Sequence, residues 1–223
     1  VAYRTAYMKC HYPQQYMAAL LTSVLDNATK VAEYIGECKE MGIRLLPPDV
    51  NRSEANFTVE GKDLRFGLVA IKNIGWGMIQ QLTDERKQNG PFRNFDDFCT
   101  RLSGKELNKR AVENLIRAGA FDSMGVPRKA LLQIFNIVVE DALAASRSNI
   151  DGQLDLFGGF SEDDEPKQQL GHPIPDVGEF SRQELMAMER ETTGLYLSGH
   201  PMDDYRETVR RLGAVPIGAI LTD

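Results

Sequence analysis

Apolar positions along the chain recur mostly at three- and four-residue intervals, in short runs punctuated by glycine and proline. The first such region is residues 1–42. Tyr16-Met17-Ala18-Ala19-Leu20-Leu21 leads into a second helical run, 27–41, in which Val31, Ile35 and Cys38 share a face. Asp26 or Asn27 is placed to cap that run and Gly42 to end it, and Pro47-Pro48 forbids helix beyond it. The pattern turns strand-like at Phe57-Thr58-Val59-Glu60 and Leu64-Arg65-Phe66-Gly67-Leu68, with Gly61-Lys62-Asp63 as the turn of a small β-hairpin. Helical spacing returns in residues 68–73, 78–89, 94–102, 108–118 and 128–146. The breaks between these runs carry Gly75, Gly77, Gly90-Pro91, Gly104, Gly125 and Pro127. A helix of about ten residues is expected from Ser181, with Leu185 and Met188 set against Glu184 and Glu191. The fold class is therefore mainly α with one small hairpin.

Residues 149–180 break the pattern. They hold Gly158-Gly159, the acidic run Glu162-Asp163-Asp164-Glu165, and Pro166, Pro173 and Pro175. That composition predicts a mobile acidic linker. Residues 214–221 are apolar again and predict the first strand of a further domain. The opening Val1-Ala2-Tyr3-Arg4-Thr5 has neither an initiator Met nor the layout of a signal peptide. The expectation is a segment of a longer chain, organised as 1–48, 49–148, 149–180 and 181–223.

Composition narrows the chemistry. No apolar run reaches the roughly 18 residues of a membrane span. Cys10, Cys38 and Cys99 are far apart and odd in number, which fits neither a zinc site nor a disulfide framework and suits a reducing cytoplasm. The net charge is −6, but it is unevenly spread. Residues 61–130 carry 13 Lys/Arg against 8 Asp/Glu, a net +5, and the remainder is −11. A basic middle between acidic flanks suggests a local anion-binding surface; a chance fluctuation on a solvated surface is the alternative.

Ile71-Lys72-Asn73-Ile74-Gly75-Trp76-Gly77-Met78-Ile79 ends one helical run and begins another, with apolar–Gly–apolar–Gly at the bend. This is the helix-hairpin-helix pattern. Glycines there permit positive φ and close approach of a partner, and a helix starting after Gly77 aims free N–H groups and its positive dipole end outward. Such a nest suits a phosphate oxygen. Ile71, Ile74 and Trp76 are expected to anchor the hairpin, and Lys72 to add a charge contact. The candidate DNA-contacting set here is Lys72, Asn73, Ile74, Gly75, Trp76 and Gly77. A second helix–turn–helix without paired glycines follows, with Asn108 as N-cap and Lys105, Lys109 and Arg110 beside the helix start. Two such units can touch both backbones of a duplex without reading bases.

In the expected linker, Gln153-Leu154-Asp155-Leu156-Phe157 places apolar side chains where nothing local buries them. A Gln followed three residues on by Leu-Phe matches the peptide that bacterial clamp-binding proteins insert into a clamp groove. Leu156 and Phe157 would fill the apolar pocket, Gln153 would hydrogen-bond at a smaller site, and Leu154 and Asp155 lie between. The alternative is that this peptide pins the linker onto the chain's own surface. The acidic pairs Asp96-Asp97, Asp163-Asp164 and Asp203-Asp204 sit at helix starts or in the linker, and no Asp-x-Asp lies on an apolar strand. No catalytic or metal-binding residue is assigned.

Taken in order, these motifs resemble the DnaE-type alpha subunits of bacterial DNA polymerase III. The resemblance runs through Tyr3-Arg4-Thr5-Ala6-Tyr7-Met8-Lys9-Cys10-His11-Tyr12-Pro13, Leu46-Pro47-Pro48-Asp49-Val50-Asn51, Phe66 to Gly75, Leu107-Asn108-Lys109-Arg110, Ala118-Gly119-Ala120-Phe121-Asp122 and Gly194-Leu195-Tyr196-Leu197-Ser198-Gly199-His200-Pro201. It implies the helical end of a fingers region, a tandem helix-hairpin-helix domain and the entry to an OB-fold. It also implies a cytoplasmic parent enzyme that extends a primer with Mg²⁺ held by carboxylates upstream of Val1. The expected partners are primer–template duplex, the sliding clamp (beta subunit) and other replisome subunits. Arg4, Lys9 and His11 are read either as fingers residues near nucleotide or template or as solvated side chains. A helix-hairpin-helix module of a DNA-repair protein, or a protein-interaction domain with purely structural hairpins, are the alternative functions.

Overall fold

A computed structural model of the chain describes residues 2–25, 27–104, 107–150 and 171–213. Three helices lead: α1 (Ala2–His11), α2 (Pro13–Ser23) and α3 (Ala28–Glu40). Pro13 occupies the first turn of α2, where its missing N–H costs nothing. The Asn27 side chain accepts from Lys30 N (3.1 Å) and so caps α3, and Gly42 leaves it with φ of +74°. On α1, Lys9 is ion-paired to Glu37 of α3, the Tyr7 and His11 rings pack together, and Arg4 is exposed.

The β-hairpin is β2 (Thr58–Glu60) and β3 (Asp63–Arg65), paired antiparallel with Val59 opposite Leu64. Gly61 takes φ of +64°, which closes the tight turn between them. A short strand absent from the sequence reading, β1 (Leu45–Leu46), pairs parallel to β3. Arg44 holds the corner through a bidentate bond to Asp63, whose carboxylate also accepts from Arg44 N. These bonds keep the Asp63 carboxyl below its ordinary pKa.

The helical domain follows: α4 (Trp76–Asn89), α5 (Phe95–Arg101), α6 (Lys109–Arg117) and α7 (Arg128–Ile150). One apolar core runs from Met17 and Leu21 of α2, through Leu64, Phe66 and Leu68, to Leu115 of α6 and Val139 of α7. At its centre Phe98 meets Phe92 and Phe121 edge-on, and Phe121 meets Phe95. Each such pair adds about 0.5–1.5 kcal/mol to area burial. Asn51 closes this region by imitating a strand residue. Its amide donates to Phe92 O (2.9 Å) and accepts from Phe92 N (2.8 Å), while Val50 N donates to Ala120 O (2.9 Å). Arg101 buckles α5 to the C-terminal end of α4, donating to the carbonyls of Glu85 and Gly90 and to the Glu85 carboxylate.

Residues 149–180 depart from the expected linker at both ends. Asn149 and Ile150 complete the last turn of α7. Residues 171–180 form a strap across the helical domain. The His172 ring bridges Asp96 of α5 and Asp141 of α7. Glu179 accepts from Arg128 N (2.7 Å) and Lys129 N (3.2 Å), capping α7 from a distance. Seven residues of extended chain span roughly 23 Å, and α7 rises roughly 20 Å between residues 128 and 141, so the strap runs antiparallel to the helix. Composition suggested mobility because the fixing bonds are polar and their partners are remote in sequence.

The final described elements are α8 (Arg182–Thr193) and α9 (Arg206–Arg211). Ser181 and Glu184 form a reciprocal capping box, and Gly194 ends α8 with φ of +78°. The buried face of α8 is Met186, Met188, Glu189 and Thr192, with Leu185 only half-buried. The expected OB-fold strand at 214–221 lies outside the described residues.

Candidate nucleic-acid interface

The first hairpin is built from a single 3-10 turn, Leu68–Ala70, rather than the helical run expected through residue 73. Ile71 then buries fully and Ile74 packs half-buried on the core, as anchors should. The polypeptide reverses at Asn73, which holds φ of +62°. Asn tolerates this left-handed conformation better than most side chains. Gly75 is the N-cap of α4, with φ of −72° and ψ of 150°. Neither Gly75 nor Gly77 uses positive φ, so that expectation is corrected: the tight turn rests on Asn73.

Gly75 has a different property. A Cβ added there meets nothing within 4 Å, and the residue is exposed. Helix α4 begins at Trp76, two residues earlier than expected, with no side-chain cap. The N–H groups of Trp76, Gly77 and Met78 lack an intrahelical partner by geometry and have no acceptor among the described residues. They open beside the unobstructed glycine, at the positive end of a 14-residue helix. An anion that accepts two or three hydrogen bonds fits this arrangement.

Two expected roles change. Trp76 is 54% exposed and anchors nothing, because the first residue of α4 points away from the core. Lys72 is engaged by the C-terminal end of α8: Lys72 N donates to Thr192 O (2.9 Å), and its Nζ donates to Glu191 O (2.8 Å). Asn114 of α6 donates to Lys72 O (2.9 Å), and Arg117 pairs with Glu191 (2.8 Å). The base of the hairpin is thus braced by α6 and α8 together.

In the second unit, Asn108 caps α6 by accepting from Ala111 N (2.9 Å). Lys109 is ion-paired to Glu140 of α7, while Arg110 is exposed. Lys105 lies outside the described residues. Gly119 leaves α6 with φ of +83°, and an added Cβ would overlap Arg128 Nη2. That guanidinium is buried and pairs with Asp122 (2.6 Å) and with Glu189 of α8 (3.1 Å). Glu189, 1% exposed, also accepts from Leu197 N (3.0 Å), Ser198 N (2.9 Å) and Ser198 Oγ (3.0 Å). A buried carboxylate is tolerated only with such pairing. The structural roles of Glu189, Arg128 and Asn51 carry no local signal in the sequence, and only the partners assembled by the fold reveal them.

The basic middle is largely neutralised internally. Arg65, Arg86, Lys87, Arg93, Arg101, Lys109, Arg117 and Arg128 all ion-pair with carboxylates. The surface therefore offers backbone amides and a few cations, not a broad positive field. The peptide Gln153, Leu154, Asp155, Leu156 and Phe157 lies outside the described residues.

Comparison with known proteins agrees with this geometry. A family model described as helix-hairpin-helix motif matches residues 42–131. The DNA polymerase III subunit alpha of Saccharopolyspora erythraea is 43% identical over 205 residues, covering 91% of this chain and 17% of that protein. Its counterpart in Mycobacterium tuberculosis is 40% identical over 226 residues, 99% of this chain and 19% of the relative. That of Pseudomonas aeruginosa is 39% identical over 227 residues, covering 95% and 19%. The chain thus spans under a fifth of the length of these relatives.

Proposed function

The chain matches one stretch of DNA polymerase III alpha subunits over nearly its whole length, and on that footing we propose that it is the part of a replicative DNA-directed DNA polymerase that holds primer–template duplex. The observation that carries this reading is the hairpin at residues 73–78, where three amides without an acceptor among the described residues stand beside an unobstructed, exposed glycine in a matched helix-hairpin-helix region. Phosphate oxygens accept from such amides whatever the base sequence, so the grip is non-specific. With most cations already paired, about two phosphates are neutralised, and log affinity should fall with log salt at a slope near −2.

Gly75→Val tests the assignment cleanly. Its backbone is extended and its Cβ has space, so the protein folds normally, but the side chain fills the approach to the amides. Anisotropy with a labelled duplex should show at least about a tenfold loss, the worth of one charge-assisted bond. Unchanged affinity with unchanged melting would refute the hairpin as the contact.

The same reading assigns Gln153 to Phe157 to the sliding clamp. Replacing Leu156 and Phe157 with Ala should abolish clamp binding and leave duplex binding intact. A repair-protein module would bind duplex without binding the clamp, so this pair of assays separates the two readings. The same resemblance assigns the Mg²⁺ carboxylates of the parent polymerase, along with nucleotide incorporation itself, to other parts of the longer protein. Contacts with other replisome subunits and a cytoplasmic setting belong to the same proposal.

A further inference from the structure

We infer that His172 is a pH-sensitive latch that fastens the strap 171–180 to the helical domain and releases its leading end when the imidazole loses a proton. The geometry carries the inference. Nδ1 lies 2.5 Å from Asp96 Oδ1 and Nε2 lies 2.9 Å from Asp141 Oδ2. A neutral imidazole has one N–H, so only the doubly protonated ring can donate to both carboxylates. Asp96 also accepts from His172 N (3.1 Å), which ties backbone and ring to one acceptor. The neighbouring charges are engaged elsewhere. On α5, Asp97 is bonded by Arg93 and Arg101; on α7, Glu140 is paired to Lys109. Asp96 and Asp141 are thus the charges that the ring faces from the two helices beneath it.

The bond to Asp96, then that to Asp141, hold the His172 pKa above its ordinary value of 6.5, against a smaller opposing effect of burial. The raised value belongs to the folded state. The latch therefore holds in full below the ordinary pKa and weakens as pH rises through the raised one. Glu179 stays on the N-terminus of α7 throughout, since the two backbone amides that donate to it there do not titrate. Release moves the anchoring point of the chain from residue 172 to residue 179, roughly 23 Å along extended backbone.

Proton NMR of the whole chain tests this, with the ring resonances of His172 told from those of His11 and His200 by His172→Gln. The expected result is a ring pKa above 6.5 that falls in both Asp96→Asn and Asp141→Asn. Hydrogen-exchange protection of the His172 amide should drop across the same pH interval, about tenfold per unit of pKa elevation, since both report one differential interaction. His172→Gln should show no such step. The latch is overturned if the ring titrates at or below 6.5, or if protection in the unsubstituted chain stays constant through the titration.

Discussion

Replacing Glu189 with Gln removes one charge from the buried junction of α6, α7 and α8 while preserving its shape. The glutamine carbonyl can still accept from Leu197 N and Ser198 N, but its amide then points two N–H groups at the Arg128 guanidinium, a donor facing a donor. Breaking a buried ion pair by changing one partner typically costs about 3–5 kcal/mol. Here Arg128 keeps its bidentate hold on Asp122, so the lower end applies, about 3 kcal/mol. For a chain of this size each kcal/mol moves the melting temperature by about 2–4 °C, which gives a fall of roughly 6–12 °C by calorimetry. Amide exchange should localise the damage, with Leu197 and Ser198 losing more protection than the amides of α4. A melting shift under about 1 °C, or protection lost evenly across the chain, would refute the reasoning.

Trp76→Ala should leave the melting temperature within about 2 °C, because surface substitutions fall within about ±0.5 kcal/mol. Had the indole anchored the hairpin, truncation would cost about 3–5 kcal/mol, so a large shift would restore the anchoring role. Gly119→Ala should destabilise the fold by at least about 2 kcal/mol in urea unfolding. The methyl group meets a left-handed backbone and displaces Arg128. A neutral result would mean that the Arg128 guanidinium moves aside freely.

Whatever depends on neighbours in sequence was legible before the structure. Asn108 caps the helix it was placed to cap, Asn27 rather than Asp26 caps α3, and the helix expected from Ser181 starts there, because a cap is formed by groups three residues apart. The resemblance to polymerase III alpha subunits, read from ordered motifs, is borne out by the relatives. Failures occur where a remote partner decides. Strand β1 has two residues and exists only because β3 lies beside it. The run 68–73 stops short of a helix where Lys72 is claimed by Thr192 and Asn114. Lys72 and Lys109 read as cations free for phosphate, and the fold gives each a partner on another helix. Trp76 sat at an apolar position of a motif whose second helix starts two residues earlier than expected. Glu189 fell on the inner face of α8, where periodicity expects an apolar side chain.

The bracing of the first hairpin by α8 and the return of residues 171–180 along α7 bear on where the length of such a module can vary. Its supporting walls come from both sides of residues 151–170, so excising residues 49–148 as an independent unit would strip Lys72, Arg117 and Arg128 of their α8 partners. Twenty residues of sequence separate these two parts of one scaffold. Closing a loop of doubled length costs only about 0.6 kcal/mol more. The two points that flank this segment are held by bonds to α7 and α8 rather than by the length of chain between them, so that length is free to vary at little cost to the scaffold.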